Sequence, residues 1–158
     1  MSRENIVFRP IGIIHTPFTQ RPGTPIQGVF QPDAEGTVEV YEEFADGLKD
    51  IEHFSHIYLL YHLHRSEGYL LHCKPYRDDE ERGVFACRAP KRPNHIGLSV
   101  VRLIERDGNI LRIGEVDILN GSPLIDIKPY VPKFDARSGV CTGWLEESED
   151  RTIADDRF

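Results

Sequence analysis

Arg88, Lys91 and Arg92 fall within five positions of one another, inside Phe85-Ala86-Cys87-Arg88-Ala89-Pro90-Lys91-Arg92-Pro93-Asn94-His95-Ile96-Gly97. Two prolines stiffen that stretch. Planar guanidinium donors on a stiff loop suit a carboxylate or a phosphate, although a short run of cations also fits an ordinary solvated loop. A second stretch, Asp117 to Pro132, passes through a Gly-Ser-Pro turn into a short apolar run carrying Asp126 and Lys128, with Tyr130 next in the same alternation. An acid, an amine and a phenol on one face make a candidate site; a surface ion pair beside a packed tyrosine fits the same pattern. His53, His56, His62, His64 and His72 form a third group, with His62 and His64 on one strand face. Their spacing lacks the cysteines or carboxylates of a zinc set, so no metal is expected.

The common catalytic and nucleotide-binding signatures are missing. No Gly-x-Gly-x-x-Gly follows a strand, and no P-loop, His-Glu-x-x-His or Gly-x-Ser-x-Gly occurs. Any nucleotide-like cofactor must therefore sit on another scaffold. The formal net charge of −7 argues against indiscriminate nucleic-acid binding. A local basic strip still attracts phosphate within about one Debye length, ~8 Å at physiological salt. Cys73, Cys87 and Cys141 are widely spaced and form no Cys-x-x-Cys pair, which reads as free thiols in a reducing compartment. No run approaches the ~20 apolar residues of a membrane span, and the first residues lack the apolar core of a secretory signal. A soluble, cytoplasmic protein is expected.

These groups must be positioned by a chain of 158 residues, enough for one domain with its own core. Ile6 to His15 reads as a strand, followed by a long irregular loop around Pro17, Pro22, Gly23 and Pro25. Gly36 to Tyr41 alternates apolar and polar residues, as a half-buried strand does. Glu42 to Phe54 is the best helix candidate: Phe44, Leu48 and Ile51 recur at helical spacing behind early acidic residues, with Gly47 weakening the pattern. Ser55 to His64 and Gly83 to Arg88 read as strands. Ile96 to Arg106 and Ile110 to Ile118 flank Asp107-Gly108-Asn109, a strong hairpin signal, and Leu124 to Ile127 is a short strand. Many strands, one main helix and Pro/Gly-rich connections predict a mainly β protein, a small antiparallel barrel over residues 6–145, with an acidic peripheral tail over 146–158.

Taken in order, several short pieces resemble one known family. They are Pro10-Ile11-Gly12-Ile13-Ile14-His15-Thr16-Pro17-Phe18, Phe54-Ser55-His56, Gly83-Val84-Phe85-Ala86 with Arg88, Arg92-Pro93-Asn94 with Ile96-Gly97, and Gly121-Ser122-Pro123 with Asp126-Ile127-Lys128-Pro129-Tyr130. The set is similar to the tRNA threonylcarbamoyladenosine methyltransferases. The resemblance runs from about Phe8 to Pro132 and matches a short form without the C-terminal domain of longer relatives. It implies a non-Rossmann β-barrel that binds S-adenosyl-L-methionine, usually as a homodimer, and methylates the exocyclic nitrogen of the modified adenosine beside the tRNA anticodon. By position it implies cofactor contacts at Pro25, Ile26, Gln27, Leu63, His64, Arg88, Leu98, Leu124, Ile125, Asp126 and Ile127. Asn120 and Ala89-Pro90-Lys91 depart from the commoner family pattern.

Methyl transfer from a sulfonium needs alignment more than covalent catalysis. The acceptor nitrogen is ureido-type and gains from a base, for which Asp126, His64 and Tyr130 are candidates. Lys91, Arg92, Lys128 and Lys133 are candidates for contacts to the anticodon stem-loop. Two competing readings are a non-catalytic module that binds S-adenosylmethionine or RNA, and a histidine metalloenzyme.

Overall fold

The computed structural model describes residues 2–148 and 150–158. Among them, six antiparallel strands close a barrel in the order β1-β2-β7-β6-β3-β8. The strands are β1 (Gly12–His15), β2 (Glu35–Val40), β3 (His56–His62), β6 (Ile96–Asp107), β7 (Ile110–Gly114) and β8 (Ser122–Pro129). A separate two-stranded ribbon, β4 (His72–Cys73) with β5 (Arg82–Gly83), stands between β3 and β6 in the chain.

Strict alternation closes the barrel around its own side chains. Ile57, Leu59 and Tyr61 of β3 point inward while Tyr58 and Leu60 point outward; Val101 and Leu103 of β6 and Leu111 and Ile113 of β7 fill the same interior. The Asp107-Gly108-Asn109 hairpin forms as the sequence predicts: Asp107 faces Ile110, and Gly108 takes φ +61° at the first loop position. Positive φ there is what a two-residue hairpin loop requires and what glycine supplies.

Five elements differ from their sequence reading, among them the strand expected over Ile110 to Ile118, which ends at Gly114. The first strand is confined to Gly12–His15, leaving Ile6, Val7 and Phe8 exposed. The segment expected as the main helix is two 3-10 helices, Glu42–Leu48 and Ile51–His53. Asp50 between them adopts φ +71°, which no continuous right-handed helix accommodates. The expected strand from Gly83 to Arg88 pairs only at Arg82–Gly83, then turns into a 3-10 helix, Val84–Ala86. The last strand is longer than expected, Ser122–Pro129, with a bulge at Ile125. It is followed by one α-helical turn, α1 (Pro132–Asp135).

The C-terminal segment lies at the periphery as a 3-10 helix, Gly143–Glu147, and an extended end. Glu149, one of its acidic residues, lies outside the described residues. The end folds back on the first loop: Ile26 donates its backbone N–H to Thr152 at 2.8 Å, and Ala154 donates to Thr24 at 2.8 Å. Arg157 donates to the carbonyls of Pro75 and Asp78. No helix among the described residues is long and apolar enough to cross a membrane.

Candidate functional site

The rim of the barrel nearest the end of β3 gathers the most chemistry. Tyr61 is the last inward residue of β3, and its ring lies over Gly97 of β6, where a Cβ would stand 2.3 Å from a ring carbon. The Tyr61 hydroxyl meets Ser99 Oγ at 2.9 Å, and Ser99 Oγ donates to Asp117 Oδ1 at 2.6 Å. Because the Ser99 proton is committed to the carboxylate, Tyr61 is the donor to Ser99. Asp117 follows β7 and also accepts a hydrogen bond from the Gly28 backbone N–H. Burial pushes its carboxyl up to about 6, against the opposing pull of Ser99, the backbone donors and the Arg88 charge.

Arg88 reaches the same rim from the loop after the 3-10 helix. Its Nη1 donates to Gln27 Oε1 at 2.9 Å, joining side chains 61 positions apart. Both supporting loops are fastened. Arg92 Nη1 donates to the carbonyls of Cys87 and Ala89, Ser66 Oγ to that of Pro90, and Trp144 Nε1 to that of Ala86. Pro25 bridges to Ile153, and Arg65 donates to the Thr19 carbonyl.

Leu63 and His64 leave β3 at this rim and line a small cleft with Arg21, Tyr61, Asp117 and Ser122. Burial, reinforced by the nearby Arg65 charge, holds the His64 imidazole below its ordinary pKa, so it is neutral at pH 7. Ser122 Oγ lies 3.4 Å from His64 Nδ1 and donates to the Leu119 carbonyl at 2.7 Å. With that hydroxyl proton already directed away, the favoured tautomer carries its proton on Nδ1 and leaves Nε2 as the acceptor.

The remaining sequence-derived residues lie elsewhere on the barrel. Leu98, Leu60 and Asp126 are register neighbours across β6, β3 and β8, on the outer face. Leu124 is fully buried, so only its backbone is available to a ligand, and Ile127 packs against the core. Asp126 and Ile127 also border a cleft of about 590 Å³ beneath the 3-10 segment, with Phe44, Leu48 and Ile51. Asp126 pairs with Lys128 at 3.0 Å, the surface ion pair the sequence also allowed. Tyr130 makes edge contacts with Tyr58 and His56 at the far end of β8. Of the three candidate bases, His64 alone lines the rim cleft. Lys91 and Arg92 belong to the rim loop, whereas Lys128 lies near the opposite end of β8 and Lys133 in the α1 turn beyond it. The two pairs do not form one cluster on a single chain. His62 stacks on His95 at 6.4 Å, and no group of three potential metal ligands occurs among the described residues.

Tyr61, Ser99, Asp117 and Arg21 were not singled out by sequence reasoning. Asp117 does open the second chemically promising stretch, as an isolated acid directly after the buried Val116.

Comparison with known proteins gives this geometry a family. The tRNA-methyltransferase O N-terminal domain matches residues 13–136. A probable S-adenosyl-L-methionine-binding protein of Pyrococcus abyssi is 62% identical over 143 residues, covering 90% of this chain and 78% of that one. The tRNA (adenine(37)-N6)-methyltransferase of Escherichia coli is 35% identical over 135 residues, covering 79% of this chain and 57% of that one. The crystal structure of TrmO from Pseudomonas aeruginosa superposes with a TM-score of 0.75 at 36% identity, covering 89% of this chain. This chain spans 62% of that solved chain. A six-stranded antiparallel barrel, the ordered motifs and a match over most of the length agree: the chain belongs to the tRNA-methyltransferase O N-terminal domain family.

Proposed function

We propose that this protein binds S-adenosyl-L-methionine at the barrel rim and methylates the exocyclic nitrogen of threonylcarbamoyladenosine beside the tRNA anticodon, as a homodimer. The observation that carries the reading is the meeting of Arg88 and Gln27 at 2.9 Å, with the Arg88 charge acting on Asp117 and Tyr61, which share a cleft with the Leu63 and His64 that the family resemblance also implicates.

The residues fit the cofactor's chemistry. Arg88 is an exposed guanidinium oriented by a neutral amide, suited to a carboxylate. Asp117 offers a partly buried carboxylate, ionised at pH 7, that attracts positive charge more strongly than it would in bulk water. Leu63 at the rim and Leu98 on the outer face offer apolar surface for an adenine. Backbone groups of Leu124 to Ile127, opened by the bulge at Ile125, are the remaining cofactor contacts in this reading. When bound, S-adenosylmethionine supplies an activated methyl group on a sulfonium. The chain aligns that group with the acceptor, and His64 Nε2 takes the acceptor proton, an effect worth ~10²–10⁴-fold. What supports His64 over Asp126 and Tyr130 is its neutral state and its position in the rim cleft.

Lys91 and Arg92 border the rim and suit the phosphates of an anticodon stem-loop. With Lys128 and Lys133 at the other end of β8, a single RNA reaches both pairs most readily across two protomers. Ile96, Leu98 and Val100, exposed in alternation along β6, support a second copy packing there.

The test is twofold. Calorimetry should detect S-adenosylmethionine binding to the parent protein and at least a tenfold weaker affinity for Arg88→Ala, with circular dichroism unchanged. Incubation with labelled cofactor should transfer methyl groups to tRNA carrying threonylcarbamoyladenosine and not to the same tRNA without it. Equal transfer to both would reject the substrate, and binding without any transfer would favour the non-catalytic module.

A further inference from the structure

Two of the three cysteines stand against each other at the foot of the Arg88 loop. Cys73 lies in β4 and is buried; Cys87, partly exposed, directly precedes Arg88. Both thiols are free, and their Sγ atoms are 3.2 Å apart across 14 positions of chain. A covalent S–S bond is ~2.05 Å, so closure needs a shift of about 1.2 Å, within reach of small side-chain rotations. The strands are already aligned for it. β4 pairs with β5 through Cys73 and Arg82, and β5 leads through the Val84–Ala86 turn into Cys87. Arg92 Nη1 holds the Cys87 carbonyl at 3.0 Å, which fixes the backbone that carries the second thiol. Burial and the adjacent thiol push Cys73 up to about 12, so Cys87, the accessible member, is the initial nucleophile.

We infer that Cys73 and Cys87 are an oxidisable pair that closes to an intramolecular disulfide by exchange with a low-molecular-weight disulfide, stapling the Arg88 loop to β4. The Cys87 thiolate attacks one sulfur of the small disulfide, forming a mixed disulfide and releasing one small thiolate. Cys73 then loses its proton and attacks Cys87 Sγ, forming the Cys73–Cys87 bond and releasing the second small thiolate. Two protein thiols are oxidised, one small disulfide is reduced to two thiols, and the two protons leave with them. The cross-link forms beside the rim without drawing Arg88 out of it, so its effect is to fix the loop. The inference does not depend on methyl transfer.

The experiment treats the full chain with excess oxidised glutathione, then counts thiols and maps peptides by mass spectrometry. The expected result is a peptide linking Cys73 to Cys87 with no glutathione on either, whatever glutathione the exposed Cys141 takes up, and a melting temperature higher by roughly 5–10 °C. Cys87→Ser, at the more exposed position, should abolish the linked peptide and the shift, and Cys141→Ser should keep both. A glutathione adduct on Cys87 that never passes to Cys73 would overturn the inference. So would cross-linking between chains through Cys141 with the other two thiols reduced.

Discussion

At the scale of single residues, the Tyr61–Ser99–Asp117 chain makes a prediction independent of any ligand. The Asp117 carboxyl has an ordinary value of 3.8 and is pushed to about 6 in the folded protein. Between pH 4 and 6 the folded state therefore binds more protons at this group than the unfolded state does. Stability contributed by this group then falls as pH rises through that window, by about 3 kcal/mol for a shift of about two units. Asp78 and Asp155, held low chiefly by Arg82 and Arg157, act with the opposite sign: their contribution is lost as pH falls below about 4. Asp117→Asn should abolish the decline between pH 4 and 6 and leave the acid limb intact, as read by urea unfolding across pH. Superimposable slopes for parent and variant would show that the carboxylate is better solvated than its enclosure implies. Arg88 and Gln27, whose side chains meet at 2.9 Å, were named by the family resemblance. Tyr61, Ser99 and Asp117 were not. Their hydrogen bonds span 38 and 18 positions, and each residue is locally unremarkable in its strand.

At the scale of elements, the legible parts were those whose signal is local. Alternation marked β2, the apolar run around His56 to Leu63 marked β3, and Asp107-Gly108 between two apolar runs marked the hairpin of β6 and β7. The 3-10 segment was read as a helix because Phe44, Leu48 and Ile51 fit either period over so short a run. The left-handed Asp50 that divides it has no sequence signature of its own. One close contact between β3 and β6 is hinted at in the sequence only as a motif glycine. Gly97 lets the Tyr61 ring lie flat on β6. In Gly97→Ala the new methyl must displace that ring, at a cost of about 1–3 kcal/mol. The expected melting temperature is lower by roughly 3–10 °C, and the Asp117-dependent pH slope should weaken because Tyr61 no longer braces Ser99. Gly47→Ala, where an added Cβ meets nothing within 4 Å, is the matched control and should stay within about 0.5 kcal/mol of the parent. Equal stability of the two variants would mean that Tyr61 has room to move.

At the scale of the whole molecule, the outer face of the sheet is the feature a lone barrel explains least well. Ile96, Leu98 and Val100 are 42%, 50% and 37% exposed in successive outward positions of β6, with Leu60 and Tyr58 beside them on β3. An apolar row on an antiparallel sheet ordinarily faces a core or a partner. The rim residues reach it directly, since Leu98 follows Gly97 beneath Tyr61. A second copy seated there would shelter the row. Val100→Glu tests this without touching the rim cleft. A charge at an exposed strand position changes the monomer's stability by about 0.5 kcal/mol or less, yet becomes a buried, unpaired carboxylate in a dimer. Sedimentation should give the parent near twice its 18.1 kDa chain mass and the variant at the single-chain mass, with the same circular dichroism. If the variant binds S-adenosylmethionine as the parent does but no longer methylates tRNA, each rim holds the cofactor alone and the RNA surface is shared. If it loses binding as well, the partner completes the cofactor site. A parent that sediments as a monomer, with activity intact, would leave the outer face for the RNA itself to cover.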